Sequence, residues 1–421
     1  MEKTLDIDLD QTKNPIDRRN FISGLWHGAF LALGMALTQP TTVISAFVAE
    51  LTGSTIWVGG LATVLTVASA FPQLFVARWL SPVVYKKPYL LGAIYLRVFS
   101  WATLAFLIYS ISSQYPLILA WSLVSLLILF YAGGGLANVP YMEVIGKVIP
   151  PGKRGAFFGG KSALAAPLSI GAAFLAKDIL AKVNYPNNYA LLFALAALGL
   201  GIASFGFVAI KEPASDNNGQ HRQSWHAYFK QVITAIKNLR ELAIAQLLTG
   251  FSLMVLPFYV VYAREELGAP PDAVGWFLLA QVVGGILLSP IWARVVDRSG
   301  SRLMLFFCAI LSTLTPLLAI LLSPFGWQAM LIVFFLSGAT FNGRVVGFQS
   351  SLLDLAPPVE RGTYAGANEL LILPVAFLSL IAGFLLQSWS YQNLFLLATP
   401  FIGAGAVVIW IWMQKEKRTA G

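Results

Sequence analysis

Cysteine and histidine are almost absent from this chain of 421 residues, which has one cysteine and three histidines. Cys308 alone cannot form an intrachain disulfide or a multi-cysteine metal site, so we expect a buried, unreactive thiol. The sequence has no His-Glu-x-x-His pattern and no phosphate-binding Walker motif. These absences argue against a metal-dependent or clustered-residue enzyme and against ATP hydrolysis by this chain, and no cofactor is expected.

Charged residues are also scarce, at 11%, whereas 57% of the residues are hydrophobic and the mean hydropathy is +0.72. A soluble domain needs a polar surface, so this composition is typical of a chain that lies in lipid. Apolar runs of about 20 residues or more, long enough to cross a bilayer as a helix, recur from Phe21 to Trp412. The runs are continuously apolar rather than alternating, which favours helices over barrel strands.

Twelve such runs are predicted as transmembrane helices, numbered here as the first to twelfth spans. Their approximate bounds are 21–50, 56–79, 89–111, 116–142, 156–180, 188–210, 241–266, 272–294, 303–323, 327–353, 364–388 and 391–413.

The basic residues predict the orientation of the chain. Of the 28 Lys and Arg residues, 23 lie in the two tails and in alternate loops, and three lie in the opposite loops. Because cytoplasmic loops carry the excess of Lys and Arg, both termini are predicted in the cytoplasm, with the chain integral to the plasma (inner) membrane. The net charge of +9 is therefore expected to reflect topology and contacts with membrane lipids, and no nucleic-acid partner is expected.

A short phrase occurs twice. Ile-Pro-Pro-Gly-Lys-Arg-Gly begins at Ile149, and Ala-Pro-Pro-Val-Glu-Arg-Gly begins at Ala356. A repeat near half the length of the chain indicates two copies of one large unit, which is a transporter architecture when each copy has six helices. The predicted parts are a cytoplasmic tail (1–20), a six-helix bundle (21–210), a cytoplasmic central loop (211–240), a second six-helix bundle (241–413) and a second cytoplasmic tail (414–421).

The second part of the central loop is predicted to be an amphipathic helix. Its apolar residues recur at spacings of three and four: Trp225, Tyr228, Phe229, Val232, Ile233 and Ile236. Such a helix either lies in the membrane interface or packs on the cytoplasmic face of a bundle.

The segment from Ala293 to Arg302, between the eighth and ninth spans, is Ala-Arg-Val-Val-Asp-Arg-Ser-Gly-Ser-Arg. With twelve spans, a long central loop and cytoplasmic termini, the whole chain resembles the major facilitator superfamily. The resemblance implies an all-α polytopic membrane protein of two pseudo-symmetric six-helix bundles, which transports solutes by alternating access. It also implies a gate in which Asp297 contacts the start of the fifth span near Arg154.

The corresponding loop of the first half departs from this pattern, because Ser81 and Pro82 stand where Asp and Arg would be. We therefore expect an asymmetric gate that is stronger on the Asp297 side, the alternative being loop charges that only set topology and contact headgroups. The expected gating residues are Arg78, Lys86, Lys87, Arg154, Arg294, Asp297, Arg298, Gly300, Arg302 and Arg361.

Arg344 lies roughly 20 Å from the cytoplasmic end of the tenth span at 1.5 Å per residue, and a charge near the midplane needs a partner or a water-filled cavity. The resemblance implies that the first, fourth, seventh and tenth spans line a central cavity. Arg344 is therefore predicted to bind an anionic or polar substrate group, with a structural pair as the alternative. Other candidate substrate-binding residues are Gln39, Thr41, Asn138, Tyr141, Tyr259, Tyr262 and Asn342.

Other charged residues in or near the spans have separate expectations. Glu369 is expected to carry a coupling proton or to pair with Arg344, and Arg97, Glu143 and Asp354 are expected in structural ion pairs, with a carbonyl contact as the alternative for Arg97. The long stem of Lys161 is expected to extend towards the cytoplasm.

These observations predict a monomeric, secondary active transporter of a small-molecule substrate, coupled to protons, with a polar or anionic solute favoured and no enzyme activity. Proton-driven efflux of amphipathic compounds, and a non-transporting sensor or scaffold on the same fold, are the alternatives.

Overall fold

The computed structural model describes residues 15–80, 83–111, 115–214, 225–357 and 361–420. Within these ranges the chain is helical and contains no strand. Twelve stretches are long and apolar enough to cross a membrane. The predicted all-α polytopic fold is therefore confirmed, and the chain is an integral membrane protein.

The helices of the first half provide six of these stretches. They are α1 (Pro15–Leu37), a π-helical turn (Pro40–Ile44), α2 (Ser45–Thr52), α3 (Thr55–Leu80), α4 (Lys87–Ile111), α5 (Pro116–Val148), a 3₁₀ turn (Pro151–Lys153), α6 (Arg154–Lys182) and α7 (Asn187–Ala209).

The helices of the second half provide the other six, after one short helix. They are α8 (Trp225–Asn238), α9 (Arg240–Thr249), α10 (Phe251–Val255), α11 (Phe258–Glu265), α12 (Ala273–Ser299), α13 (Ser301–Leu321), 3₁₀ turns (Ser323–Phe325 and Trp327–Ala329), α14 (Met330–Leu355), α15 (Arg361–Leu385) and α16 (Tyr391–Ala420).

The two copies of the repeated phrase occupy equivalent places in the fold. The arginine of each phrase, three positions after its second proline, is the first residue of a helix: Arg154 begins α6 and Arg361 begins α15. A proline disfavours helical conformation in the residue before it, which separates each new helix from the preceding one.

Two predicted spans are interrupted helices. The first, Ile16–Thr52, breaks at Pro40, which has no N–H to continue the helical ladder. The carbonyl oxygen of Gln39 there accepts from the N–H groups of Thr42 and Ile44, at 3.4 and 3.2 Å, and a π turn results. Single π turns inside α-helices are frequent at functional sites.

The seventh span, Arg240–Glu265, consists of α9, α10 and α11. Its breaks fall at Gly250 and at Pro257, which precedes α11. Backbone carbonyls that such breaks release can be satisfied only where they are buried in protein or line a polar cavity.

Contacts divide the chain into two units. Unit 1 comprises Met1–Thr38, Ala68–Ala172 and Tyr185–Arg222, and unit 2 comprises Gln39–Val67, Ala173–Asn184 and Gln223–Gly421. Two first-half segments thus group with the second half of the chain. The predicted bundles, 21–210 and 241–413, describe the sequence repeat and stay a prediction.

Helix α8 occupies the second part of the predicted central loop. Its residues Val232 and Ala235, with Leu239 beyond its end, are buried in an apolar cluster with Tyr364 of α15. The side-chain amide of Asn238 donates to the Tyr364 hydroxyl at 2.7 Å. The described residues therefore favour packing on unit 2 over a free interfacial helix, and the side chains of residues 225–229 lie outside the described part.

Glycines allow α12 and α14 to approach closely in unit 2. A Cβ added at Gly284 would collide with the carbonyl oxygen of Phe335, and one added at Gly338 would collide with that of Gln281. Small residues at membrane helix interfaces permit such backbone contact. Helix α14 also carries one wall of the site described next.

Candidate functional site

Arg344 lies near the middle of α14 and is half-buried. Its Nη2 donates to the backbone carbonyl oxygen of Gln246 at 2.8 Å, and its Nη1 donates to the Thr249 hydroxyl. The guanidinium carbon lies 4.8 Å from the ring centroid of Phe348, in cation–π contact. The described residues of unit 2 give Arg344 no carboxylate partner, so neutral oxygens and one ring surround its charge.

A small recess with a volume of about 20 Å³, room for one water molecule, lies beside this guanidinium, entirely within unit 2. Hydroxyl-bearing side chains dominate its polar lining. The lining residues are Ser252, Leu253, Leu256, Tyr259, Ser312, Thr315, Ser337, Thr340, Phe341 and Arg344. A few polar groups on a mostly apolar wall are typical of small-molecule sites, but the recess is much smaller than such sites, so a solute can enter only if the surrounding helices move apart.

The α9 residues that hold Arg344 were not among the sequence candidates. The side-chain Nε2 of Gln246 also donates to Asn368 Oδ1 on α15 at 2.9 Å. Gln246 is 1% exposed, and its Oε1 has no partner among the described residues. Gln246 and Thr249 are three residues apart in an apolar run, a spacing that puts them on one helix face and that could have identified them.

Glu369 is half-buried on α15, directly after Asn368. The predicted pair with Arg344 is not formed, because Arg344 points its donors at α9. Among the described residues Glu369 has no hydrogen bond or ion pair. A carboxylate in a membrane span that has no protein partner needs water or a proton to offset its charge.

The two tyrosines predicted in the seventh span have different surroundings. Tyr259 is 1% exposed, lines the recess and packs against Phe395, with ring centroids 5.1 Å apart. Tyr262 does not line the recess; its ring lies 5.5 Å from that of Tyr391, and its hydroxyl accepts from Gln392 at 3.5 Å. The structure therefore brings Tyr259, but not Tyr262, together with Arg344.

Three further candidates lie elsewhere in unit 2. The Nε2 of Gln281 on α12 donates to the Thr41 hydroxyl oxygen at 2.9 Å. Gln39 contributes its carbonyl oxygen to the π turn. Asn342 is exposed and lies beside Gly285. None of the three lines the recess.

In unit 1, two candidates of α5 make polar contacts. Asn138 Nδ2 donates to Gln73 Oε1 at 3.2 Å. The Tyr141 hydroxyl oxygen accepts from Lys161 Nζ at 2.9 Å. The ammonium of Lys161 thus bonds to a neighbouring helix, and the extension of its stem towards the cytoplasm stays a prediction.

Arg97 forms no ion pair among the described residues, contrary to expectation. Its guanidinium carbon lies 4.4 Å from the ring centroid of Phe130, its Nη2 contacts Met35 Sδ at 3.2 Å, and its Nε has no acceptor there. The ring face and the sulfur replace the expected carboxylate or carbonyl. Cys308 is buried as predicted, and its thiol donates to the Thr340 carbonyl oxygen at 3.3 Å.

Comparison with known proteins shows which transporters the chain resembles. The profile of the Major Facilitator Superfamily matches residues 242–421. The chain is 23% identical over 179 residues to solute carrier family 2, facilitated glucose transporter member 12, of Xenopus laevis, a match that covers 42% of this chain and 30% of that protein. The chain thus spans less than a third of the length of this curated relative.

Three solved structures have the same fold over almost the whole chain. A bacterial homologue of the iron transporter ferroportin, in an inward-facing state, matches with a TM-score of 0.68 and 13% identity, over 94% of this chain and 98% of that one. A POT family transporter in complex with 5-aminolevulinic acid matches at 0.68 and 12%, over 94% and 95%. The nucleoside transporter NupG matches at 0.66 and 13%, over 95% and 99%.

The resemblance to the Major Facilitator Superfamily is confirmed. The fold is that of membrane transporters, and both the family and the solved neighbours are transporters, which points away from an enzyme.

The loop motif of the superfamily lies in unit 2 between α12 and α13. Gly300 has a φ of 86°, a left-handed conformation that glycine adopts without strain, so the loop turns on one residue. Ser301 donates to Asp354 Oδ2 at 2.7 Å, and the Arg302 guanidinium carbon lies 4.5 Å from the Trp412 ring centroid. Asp354 therefore holds the start of α13 through a serine. The other motif charges are exposed: Arg294, Asp297 and Arg298.

The first-half superfamily loop is tied into unit 1 by carboxylates that the sequence analysis did not connect. Lys86 pairs with Glu143. Glu212, which is 3% exposed, accepts from the backbone N–H groups of Lys86 and Lys87 at 3.0 and 2.8 Å and from Lys147 Nζ at 2.6 Å. Burial and the nearby Lys147 ammonium lower the pKa of Lys86 from its usual value, while Glu212 opposes the shift.

The contact predicted between Arg154 and Asp297 stays a prediction, since the two residues belong to different units. Within unit 1, Arg154 Nη2 donates to the carbonyl oxygen of Gly146 at 2.9 Å. The side chains of Arg78 and Arg361 lie outside the described residues.

Proposed function

We propose that the protein is a secondary active transporter of a small anionic or polar solute, which works by alternating access and is driven by protons. The observation that carries this proposal is Arg344, a cation inside a membrane span, beside a recess rich in hydroxyl groups and without a carboxylate partner in unit 2. Placing an uncompensated charge there is costly. A negatively charged solute offsets that cost. Its binding free energy is therefore more favourable beside Arg344 than at a neutral site.

Glu369 is the proposed proton carrier. It is half-buried on α15, next to Asn368, which bonds to the same Gln246 that accepts from Arg344. A carboxylate in a membrane span can stay charged while water reaches it, but it needs a proton when it is buried. Glu369 can therefore alternate between a charged and a protonated state during a transport cycle. The proposal assigns the solute to Arg344 and the proton to Glu369.

The proposal also includes the orientation and the state of the protein. The excess of Lys and Arg in the tails and alternate loops supports cytoplasmic termini in an inner membrane. The protein acts as a monomer that contacts lipids, and the exposed motif charges of the α12–α13 loop act in gating at the cytoplasmic face.

The solutes of the similar proteins bear on the solute class. These proteins include a glucose transporter, a nucleoside transporter and a transporter in complex with 5-aminolevulinic acid. These solutes are small polar compounds, and the last is an acid. Because Arg344 has no carboxylate partner in unit 2, we propose that the solute of this protein carries an acidic group, as 5-aminolevulinic acid does.

A thermal-shift screen on the purified full chain tests the solute class. The panel contains succinate, citrate and inorganic phosphate as anions, and glucose and uridine as neutral compounds. We expect an anion to raise the unfolding midpoint, because a ligand that binds only the folded state stabilises it. Midpoints raised by glucose or uridine alone would contradict the anionic class.

Variants of Arg344 test the assignment. Arg344→Ala should abolish most of the rise in unfolding midpoint that the anion causes. Arg344→Lys should retain part of this rise, because lysine keeps the charge but loses the planar fork of donors. Lys230→Ala, which removes one exposed positive charge on α8, is the matched control and should leave the rise unchanged. An unchanged rise in Arg344→Ala would remove Arg344 from the site.

A further inference from the structure

We propose that Lys161 and Tyr141 form a second anion-binding site, located in unit 1, which takes a carboxylate or phosphate group. The proposal rests on the proposed transport of an anion and adds an anion site whose residues all belong to unit 1. It concerns a lysine in the apolar part of α6 whose ammonium is held by a neutral partner.

The contacts of Lys161 are few. Its Nζ donates to the Tyr141 hydroxyl oxygen at 2.9 Å and lies 5.0 Å from the centroid of the Tyr141 ring. Among the described residues there is no other hydrogen bond and no carboxylate partner for either side chain. Two ammonium hydrogens and the Tyr141 hydroxyl hydrogen are therefore available, and all three are donors.

A set that offers only donors and a positive charge selects an acceptor-only, negatively charged ligand. Carboxylate and phosphate oxygens have this character, and hydrogen bonds between ionised groups are roughly twice as strong as neutral ones. Lys161 and Tyr141 are both half-buried, so a ligand can reach them while the surroundings keep the interaction less screened than in water.

The position of the ammonium is fixed by helix packing. The stem of Lys161 lies across Gly28 of α1, where a Cβ would come within 2.7 Å of Lys161 Cε and 2.8 Å of its Cδ. Gly28 therefore leaves room for the stem, and an alanine there would displace the ammonium without changing any charge. Gly171, on the same helix as Lys161, has no atom within 4 Å of an added Cβ and supplies a matched control.

Anion-dependent thermal shift of the purified full chain tests the site, with succinate and inorganic phosphate as probes and chloride at equal ionic strength as the reference. Lys161→Gln and Gly28→Ala should each raise the half-saturating concentration by about tenfold, the factor expected for one hydrogen bond to a charged group. Tyr141→Phe should raise it by less, Lys161→Arg should restore it in part, and Gly171→Ala should leave it unchanged.

Several outcomes would overturn the site. Half-saturating concentrations that are unchanged in both Lys161→Gln and Gly28→Ala would show that Lys161 does not bind the anion. If Lys161→Gln does not fold, Gly28→Ala and Tyr141→Phe decide the question alone. A shift produced by phosphatidylglycerol in mixed micelles, but not by phosphatidylcholine, succinate or phosphate, would assign Lys161 to a lipid headgroup and overturn the solute site.

The failure of this site is distinguishable from failure of the proposed function. If Arg344→Ala abolishes anion binding while Lys161→Gln does not affect it, the Lys161 site is wrong and the Arg344 assignment stands. If Lys161→Gln weakens binding and Arg344→Ala does not, the Lys161 site stands and the Arg344 assignment is wrong.

Discussion

Arg344 and Gln246 are joined across two helices of unit 2: the arginine Nη2 donates to the backbone carbonyl oxygen of the glutamine at 2.8 Å. The backbone amide group is neutral, so this contact orients the guanidinium without neutralising it. The cation is thereby held in place beside the recess while its charge stays available to a solute.

Thr249→Val should weaken anion binding by disordering Arg344. The Thr249 hydroxyl accepts from Arg344 Nη1 and donates to the Ala245 carbonyl oxygen at 2.6 Å. A valine leaves a buried donor without an acceptor, at a cost of about 1–3 kcal/mol. The measurement is the half-saturating succinate concentration, which should rise. Thr38→Val, whose hydroxyl bonds only within its own helix, is the control and should have no effect on it.

Gly338→Ala should destabilise the protein, because the added methyl collides with the backbone of α12 at Gln281. Overpacking of this kind costs roughly 1–3 kcal/mol. The thermal unfolding midpoint should fall in Gly338→Ala and should not fall in Gly171→Ala, which has open space at its Cβ. Equal midpoints for the two variants would mean that the α12–α14 contact is not close.

Glu212→Gln should destabilise unit 1. The carboxylate is 3% exposed and accepts from the first N–H groups of α4 and from Lys147. Removing its charge leaves Lys147 without its carboxylate and weakens the hydrogen bonds to the start of α4. Because hydrogen bonds to charged groups are lost, the free energy of unfolding should fall by about 1–3 kcal/mol. Unfolding midpoints of this variant and of wild type provide the measurement.

Asp178→Asn is the matched control for Glu212→Gln. Asp178 also pairs with a lysine, Lys182, but both side chains are more than half exposed. Ion pairs that are this exposed contribute little to stability. A larger loss of stability in Asp178→Asn than in Glu212→Gln would contradict the role of Glu212 as a buried anchor.

Local sequence features predicted much of the fold. The twelve spans follow from length and hydropathy. The fifth and eleventh, predicted to begin at about 156 and 364, belong to helices that begin at Arg154 and Arg361, two and three residues earlier. Each of these depends on residues that are close together in the chain, so a single sequence contains the necessary information.

The polar contacts between helices were less accessible to sequence reasoning. Gln246 and Asn368 are 122 residues apart, and Thr41 and Gln281 are 240 apart. Which polar residues meet depends on helix rotation and on interhelical approach, which a hydropathy pattern does not specify. Arg344 could be identified because a charge deep in a span is unusual. Gln246 and Thr249 are neutral, so their presence in a span does not by itself indicate a site.

Glu369→Gln should uncouple solute movement from protons while leaving solute binding intact. A glutamine is similar in shape but carries no exchangeable carboxyl proton. The half-saturating succinate concentration should therefore stay close to that of wild type, whereas accumulation driven by a pH gradient should be lost. Retained accumulation in this variant would assign proton coupling to another group.

Uptake into proteoliposomes tests the central proposal most directly. The solute is the radiolabelled panel compound that gives the largest thermal shift, and uptake is compared with and without an imposed pH gradient and in protein-free vesicles. The account predicts accumulation above the external concentration only when the gradient is present, and its collapse by a protonophore. Uptake equal to that of protein-free vesicles, or identical uptake with and without the gradient, would contradict it.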